Sequence, residues 1–170
     1  KTIFVGDTSV HEYPSSEQLA KIAISAARVV RLFGFDPKVA FVSHSTFGQP
    51  LTSRTKHIKD AVEILKEKNV NFEFDGDMQP DVALNEEYKN LYPFSKIVGN
   101  ANILIMPGQH SAAISYKMMK TLGDTKVIGP LLIGLGLPIE IAPLRSSTSE
   151  ILNLASIAAY SADVIDYKKN

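Results

Sequence analysis

The sequence predicts an α/β fold: a mostly parallel sheet with helices on both faces. Three observations carry that expectation. Short, β-rich apolar runs alternate with amphipathic helical ones along the chain. The run Lys38–Val42 (KVAFV) is apolar after its first residue, as a parallel strand covered on both faces should be. The intervening loops are short, and no linker, internal repeat or low-complexity segment interrupts the alternation. At 170 residues the chain is long enough to bury a sizeable core.

Residues 2–5 (TIFV) read as the first strand, followed by a loop containing Pro14. Ser15 stands three residues before Gln18, the spacing of a capping box, and so marks a helix start. Leu19, Ile22, Ala23, Ala26, Val30 and Phe33 then recur at helical spacing, with Gly34 placed to end the helix. After KVAFV, residues 43–53 (SHSTFGQPLTS) form a loop leading to a helix with Ile58, Ala61, Val62 and Leu65 on one stripe. Residues 71–74 (NFEF) read as the next strand, ending at Asp75-Gly76-Asp77. Residues 81–91 read as a loop with a short helix. Residues 102–106 (NILIM) are the clearest strand of all, closed by Pro107-Gly108. The next helix carries Ile114, Met118, Met119 and Leu122 and ends at Gly123. Residues 126–128 and 131–135 supply a further strand region broken by Gly129-Pro130, and residues 139–141 one more short strand. The last helix opens near Thr148 or Ser149 and carries Ile151, Leu154, Ala155, Ala158 and Ala159, before a solvated tail at Lys168-Lys169.

Composition removes several classes of function. Eighteen basic side chains balance eighteen acidic ones, so a broad electrostatic grip on nucleic acid or anionic lipid is excluded as the main activity. The chain has no cysteine, which excludes disulfides, thiolate nucleophiles and cysteine-held metal centres. No apolar run approaches the ~20 residues of a membrane span, and no signal peptide is visible, so a cytoplasmic location is expected. A start at Lys1, directly on a strand, reads as a piece of something longer.

In open parallel sheets the ligand crevice lies beyond the carboxyl ends of the strands. Three loops fall there: Ser43-His44-Ser45-Thr46, Gly108-Gln109-His110-Ser111 and Arg145-Ser146-Ser147-Thr148. Hydroxyls, backbone N–H groups and a helix N-terminus suit a phosphate or a polarised carbonyl. Each also has a plainer reading. Ser and Thr before a helix cap it, and a lone loop histidine usually sits at the surface. Asp75 and Asp77 offer two carboxylates to a metal, but Asp-Gly-Asp is first of all a turn. No dinucleotide fingerprint, Walker A loop or H-E-x-x-H is present.

Four stretches together resemble phosphate acetyltransferases. Asp7-Thr8-Ser9-Val10, Pro14 and the run from Glu17 to Ile24 resemble the opening of that family's second domain. Residues 37–48 (PKVAFVSHSTFG) look like its strand and Ser-Thr-x-Gly loop. Residues 75–83 (DGDMQPDVA) resemble its Asp-Gly-x-x-Gln-x-Asp-Ala motif. Residues 101–138 follow its longest signature almost without gaps. Within the family the chain is most similar to the C-terminal region of bacterial hybrid NADP-dependent malic enzymes. The resemblance implies the second-domain architecture shared with isocitrate and isopropylmalate dehydrogenases. It implies an α/β domain over residues 1–142, with residues 143–170 as a helix returning to the other domain. It further implies a homodimer, contacting through residues 75–92 with Met78, Leu84, Leu91 and Tyr92, inside a larger oligomer of the parent. An apolar strip of Ile151, Leu154, Ala158 and Val164 on the last helix would then lack its usual cover.

The departures matter as much. The family's Asp-Leu-Ser-Arg-Gly-Cys-Ser-x-x-Asp stretch is here residues 142–150 (APLRSSTSE). One register puts Pro143 and Leu144 at the catalytic Ser and Arg; a shift by one puts Leu144 and Arg145 there. The Ser-Arg pair is lost in both, and the acid survives as Glu150. The family's Pro-Asp-Leu-Asp-Ala-Gly-Asn loop has become Pro107-Gly108-Gln109-His110-Ser111-Ala112-Ala113, and the Lys of Ser-Thr-Lys-Gly is Phe47.

Two functions follow from the resemblance. The first is a regulatory and oligomerising portion of a malic enzyme that senses acetyl-CoA. The second is acetyl transfer between coenzyme A and phosphate. Losing one oxyanion donor costs about 10²–10³ in rate, so losing several favours the first. Ser45, Thr46, Arg145, Ser146 and Ser147 are the expected ligand-binding residues, with Arg145 and Glu150 the remaining catalytic candidates. No metal ligand or cofactor is expected in this chain; NADP and a divalent metal belong to the malic-enzyme half of the parent. Neither nucleic acid nor membrane is expected as a partner.

Overall fold

A computed structural model describes residues 1–167. The chain gathers into two compact units, Lys1–Tyr116 and the residues from Lys117 onward. The first unit holds four strands, β1 (Phe4–Gly6), β2 (Lys38–Val42), β3 (Glu73–Met78) and β4 (Ile103–Ile105), all parallel, in the order β1-β4-β2-β3. Between them run α1 (Ser16–Leu32), α2 (Ser53–Glu67) and two short helices, α3 (Pro80–Leu84) and α4 (Glu86–Lys89). Helix α5 (Gln109–Leu122) follows β4, and α6 (Thr148–Tyr167) closes the chain. The α/β class with a parallel sheet is therefore as the sequence predicts.

The crossing directions explain which face each helix covers. From β1 to β2 and from β2 to β3 the chain steps one way along the sheet, and α1 and α2 pack together on the same face. From β3 to β4 it steps back. A right-handed crossover then puts the connection on the opposite face, which is where α3 lies against β2. There Ala40, Val42, Met78, Leu104 and Met106 meet Val82 and Ala83 of α3, Ile97, Ala101 and Ala112 of α5.

Local signals hold where tertiary packing agrees with them. Ser15 caps α1, accepting from the Gln18 N–H while the Gln18 side chain accepts from the Ser15 N–H. Leu19, Ala23, Ala26 and Val30 of the predicted stripe are buried, as are Ile58, Ala61, Val62 and Leu65 of α2.

Two stretches differ from the sequence reading. Asp75-Gly76-Asp77 is not a turn: β3 continues through it. A Cβ at Gly76 would stand 2.7 Å from Phe41 Cβ and 2.8 Å from its carbonyl oxygen, so glycine here serves close strand approach. The register skips from Phe41↔Gly76 to Val42↔Met78, leaving Asp77 as the extra residue of a bulge. Met78, expected at a dimer contact, is fully buried inside the sheet's core and cannot reach a surface.

The second correction lies in the second unit. No strand forms at residues 126–128, 131–135 or 139–141. Gly129 and Gly134 take positive φ values of 124° and 88°, and Pro130 and Pro138 lack an N–H, so no continuous ladder can build. Short apolar runs do not by themselves separate a strand from an irregular segment. Of the apolar strip expected on α6, Ile151 is exposed, Leu154 is buried and Ala158 is half-buried. The side chain of Val164, with Lys168 and Lys169, lies outside the described residues.

Candidate functional site

Strand β4 sits between β1 and β2, and its following helix buries Ala112 on one face while α1 and α2 take the other. Connections therefore diverge on either side of β4, and a parallel sheet leaves a crevice at that point. A cleft of about 770 Å³ lies there, in the first unit.

Its walls come from three segments. The β1–α1 connection and the first turn of α1 supply Glu12, Tyr13, Ser15 and Glu17. The end of β2 and the first turns of α2 supply Ser43, His44, Arg54 and His57, and the turn from β4 into α5 supplies Gly108, His110, Ser111 and Ser115. Val42, Ile58, Met106 and Pro107 add apolar surface. Gly108 lets two walls close, since a Cβ there would stand 2.8 Å from the Glu12 carbonyl oxygen. That oxygen accepts from the Gln109 N–H at 3.2 Å.

Polar contacts hold the walls in shape. Asp7 accepts from the N–H groups of Ser9, Val10 and His11 at 2.8–3.0 Å and pairs with His11 Nδ1 at 2.7 Å. Burial opposes its charge, but these bonds outweigh it and hold the carboxyl below its usual range. Asp77 accepts from the Ser45 hydroxyl and, at 3.0 Å, from the Gly48 N–H. Asp75 accepts from Lys96 N–H at 2.7 Å. Both carboxylates of the Asp-Gly-Asp stretch are thus committed to the chain's own donors. Among the described residues, no group of three or more His, Asp or Glu side chains is placed to hold a metal ion.

The expected ligand-binding residues take other positions. Ser45 and Thr46 are buried; Ser45 binds Asp77, and Thr46 Oγ1 accepts from the Gln79 N–H at 3.2 Å. Neither lines the cleft. They fix the loop whose neighbours Ser43 and His44 do line it.

In the second unit, Ser147 caps α6, accepting from the Glu150 N–H at 3.3 Å, while Glu150 accepts from the Ser147 N–H at 2.8 Å. Glu150 also accepts from Lys120 Nζ at 2.8 Å. Lys120 first, and then the Ser147 bonds, pull its pKa down to about 2. Such a carboxylate is a poor proton donor or acceptor near neutral pH. Ser146 donates its N–H to the Pro143 carbonyl at 2.9 Å, and its hydroxyl is shielded with no hydrogen-bond partner; Arg145 is exposed.

Sequence reasoning missed Arg54 and His57. Their signal was available: they come just after Thr52, the cap of α2, and stand three residues apart, which puts both on one side of its opening turns. Helix starts after a parallel strand point into the crevice.

Comparison with known proteins places the chain. The profile for phosphate acetyl/butaryl transferase matches residues 1–159. An NADP-dependent malic enzyme of Rhizobium meliloti is 48% identical over 95% of this chain, which spans 21% of that protein. A phosphate acetyltransferase of Bacillus subtilis is 34% identical over 92% of this chain and 49% of its own length. The crystal structure of a phosphotransacetylase from Streptococcus pyogenes superposes with a TM-score of 0.87 at 33% identity, covering 94% of this chain and 49% of that one. The chain thus spans about a fifth of the malic enzyme and half of the transferase.

Proposed function

This chain belongs to the phosphate acetyl/butaryl transferase family, and we propose that it is the phosphotransacetylase-like regulatory and oligomerising portion of a multidomain malic enzyme, sensing acetyl-CoA without catalysing acetyl transfer. The observation that carries this reading is the 48% identity to an NADP-dependent malic enzyme over 95% of the chain. On this reading the parent oxidatively decarboxylates malate to pyruvate with NADP and a divalent metal held outside these residues. The domain boundary at 142/143 and the homodimer are parts of the same proposal.

The chemistry of the second unit supports the loss of transfer. A CoA thiolate attacking an acetyl-phosphate carbonyl needs a base for the thiol proton and donors for the oxyanion. Glu150 is tied to Lys120 and to a helix cap, and Ser147 is the other half of that cap. In one register Pro143 and Leu144 bring neither a hydroxyl nor a guanidinium, and in the other Arg145 keeps the guanidinium but Leu144 brings no hydroxyl. Binding is less demanding, because it needs shape and donors but no tuned base.

The test has two arms. A coupled thiol-release assay on the chain should show no acetyl phosphate formation. Acetyl-CoA titrated into the full-length parent should change the rate of malate oxidation. Robust acetyl phosphate formation would establish an active phosphate acetyltransferase instead; unchanged malate kinetics at millimolar acetyl-CoA would remove the regulatory role.

A further inference from the structure

We propose that the groove between the second half of α1 and the α2–β3 connection is a binding site for a small dicarboxylate, with Arg28 and Arg31 each taking one carboxylate. The groove opens at the amino ends of the strands: residues 69–72 lead into β3, and Arg31 stands in the last turn of α1, ahead of β2. The cleft lies beyond the opposite, carboxyl ends. The proposal goes beyond the regulatory reading and does not depend on it.

The first argument is unneutralised charge. Arg28 and Arg31 stand three residues apart on α1 and so share a face. Arg28 has no hydrogen-bond or ion-pair partner among the described residues. Arg31 donates from Nη1 to Asn71 Oδ1 at 2.9 Å and from Nη2 to the Asn71 carbonyl at 2.6 Å. Those two bonds fix the plane of its guanidinium and leave its remaining N–H groups for a ligand. Among the described residues no carboxylate lines the groove to balance the pair. Beside it along the chain, Glu67 and Lys68 offset one another.

The second argument is shape. Asn69 takes a φ of 47°, a left-handed conformation that Asn adopts more readily than most residues, and so turns the chain out of α2 to where Asn71 meets Arg31. Ile24, Ala27, Val70 and Phe72 supply apolar surface for a short carbon skeleton, and the Phe72 ring is set edge-on to Phe74 at 5.9 Å. The volume, about 330 Å³, is near the lower end of the roughly 300–1,000 Å³ of small-ligand sites. The third argument decides between anions. Phosphate sites are built at helix amino ends, whereas this groove adjoins the carboxyl ends of α1 and α2, where a compact double charge is opposed by the helix dipoles. Two single charges, each spread over a planar carboxylate and held by its own guanidinium, avoid that concentration and match the guanidinium edge.

Succinate is the probe, titrated into this chain at neutral pH and constant ionic strength and followed by NMR of the arginine Nε–H and asparagine side-chain amide groups. Saturable shifts are expected at Arg28, Arg31 and Asn71. Acetate, with one carboxylate, should bind at least tenfold more weakly, and inorganic phosphate at least fivefold more weakly. Arg28→Gln should weaken succinate at least fivefold. Asn71→Asp keeps an acceptor for Arg31 but sets a carboxylate in the groove, and should weaken succinate at least tenfold with a near-unchanged thermal midpoint. Lys59→Gln removes a positive charge that does not line the groove and should leave the affinity as it is. Shifts that never saturate, acetate or phosphate binding as tightly as succinate, or equal losses in Arg28→Gln and Lys59→Gln each overturn the proposal. A glutamate-rich peptide that binds there when succinate does not would make the groove a protein contact and overturn it as well. None of these outcomes bears on whether acetyl-CoA alters malate oxidation, so the two readings stand or fall separately.

Discussion

The two units bury their apolar residues very differently. In Lys1–Tyr116 the strands are covered on both faces, and Val39, Ala40, Phe41, Ile103 and Ile105 are almost completely inaccessible. Among the described residues from Lys117 onward the apolar side chains are mostly exposed or half-exposed: Leu122, Leu137, Ile141 and Leu152 each show 60% or more of their surface, and Leu144 all of it. Helix α5 spans the boundary and buries only Ala112, near its start. The lesson is that apolar content does not decide burial; alternation with a partner surface does. The first unit closes a sheet on two helical layers, whereas Gly- and Pro-broken runs in the second cannot pair into strands.

The contrast predicts a graded set of outcomes. The largest effects belong to the sheet. Phe41→Ala removes a fully buried ring beside Gly76 and should cost about 3–5 kcal/mol, and Leu65→Ala about 2–5 kcal/mol, by denaturant unfolding. Losses under about 1 kcal/mol at both would mean that the first unit is much looser than its burial indicates.

Next comes the polar tie between β3 and the cleft loop. Asp77→Ala leaves the Ser45 hydroxyl and the Gly48 N–H without their acceptor, in a buried place. The expected loss is about 1–3 kcal/mol, with faster amide exchange confined to residues 43–48. Exchange that stays slow in that loop would show that other contacts hold it.

The same device, a reciprocal cap, closes a helix in each unit, so it compares them at fixed chemistry. Ser15→Ala and Ser147→Ala each remove one such cap, worth about 1 kcal/mol. The first should lower global stability, because α1 is packed on the sheet. The second should show mainly as fraying of α6 in amide exchange. Equal global losses would make the two units one cooperative whole.

Glu150 gives a pH test of the second unit. Its carboxyl is lowered from 4.5 to about 2 in the folded chain. A depressed carboxyl stabilises the fold fully above its unfolded value, and that contribution fades as pH falls from about 4.5 through about 2. Lys120→Met should move the Glu150 titration back up toward 4.5, as followed by carboxyl ¹³C NMR. An unmoved titration would assign the lowering to the Ser147 bonds alone. The smallest effect is expected at Leu144→Ala, within about 0.5 kcal/mol, since that side chain is fully exposed. A larger loss would mean that Leu144 is covered in solution.

What the sequence determined by itself is what depends on near neighbours. The Ser15–Gln18 cap, the stripe of α2 and the apolar run of β2 are set within one or two helical turns or one strand, so their residues suffice to read them. Tertiary structure decided the rest. Asp-Gly-Asp became strand because it pairs with Ala40 and Phe41 of β2, 35 positions earlier, and glycine at 76 admits the close approach of Phe41. Ser45 became a buried anchor because Asp77, 32 residues away, projects from a bulge toward it. His44, His57 and His110 share a cleft only because β4 inserts between β1 and β2, bringing the end of the last strand beside the ends of the first two. Local pattern carries no record of strand order, and strand order is what brings distant charges to one place.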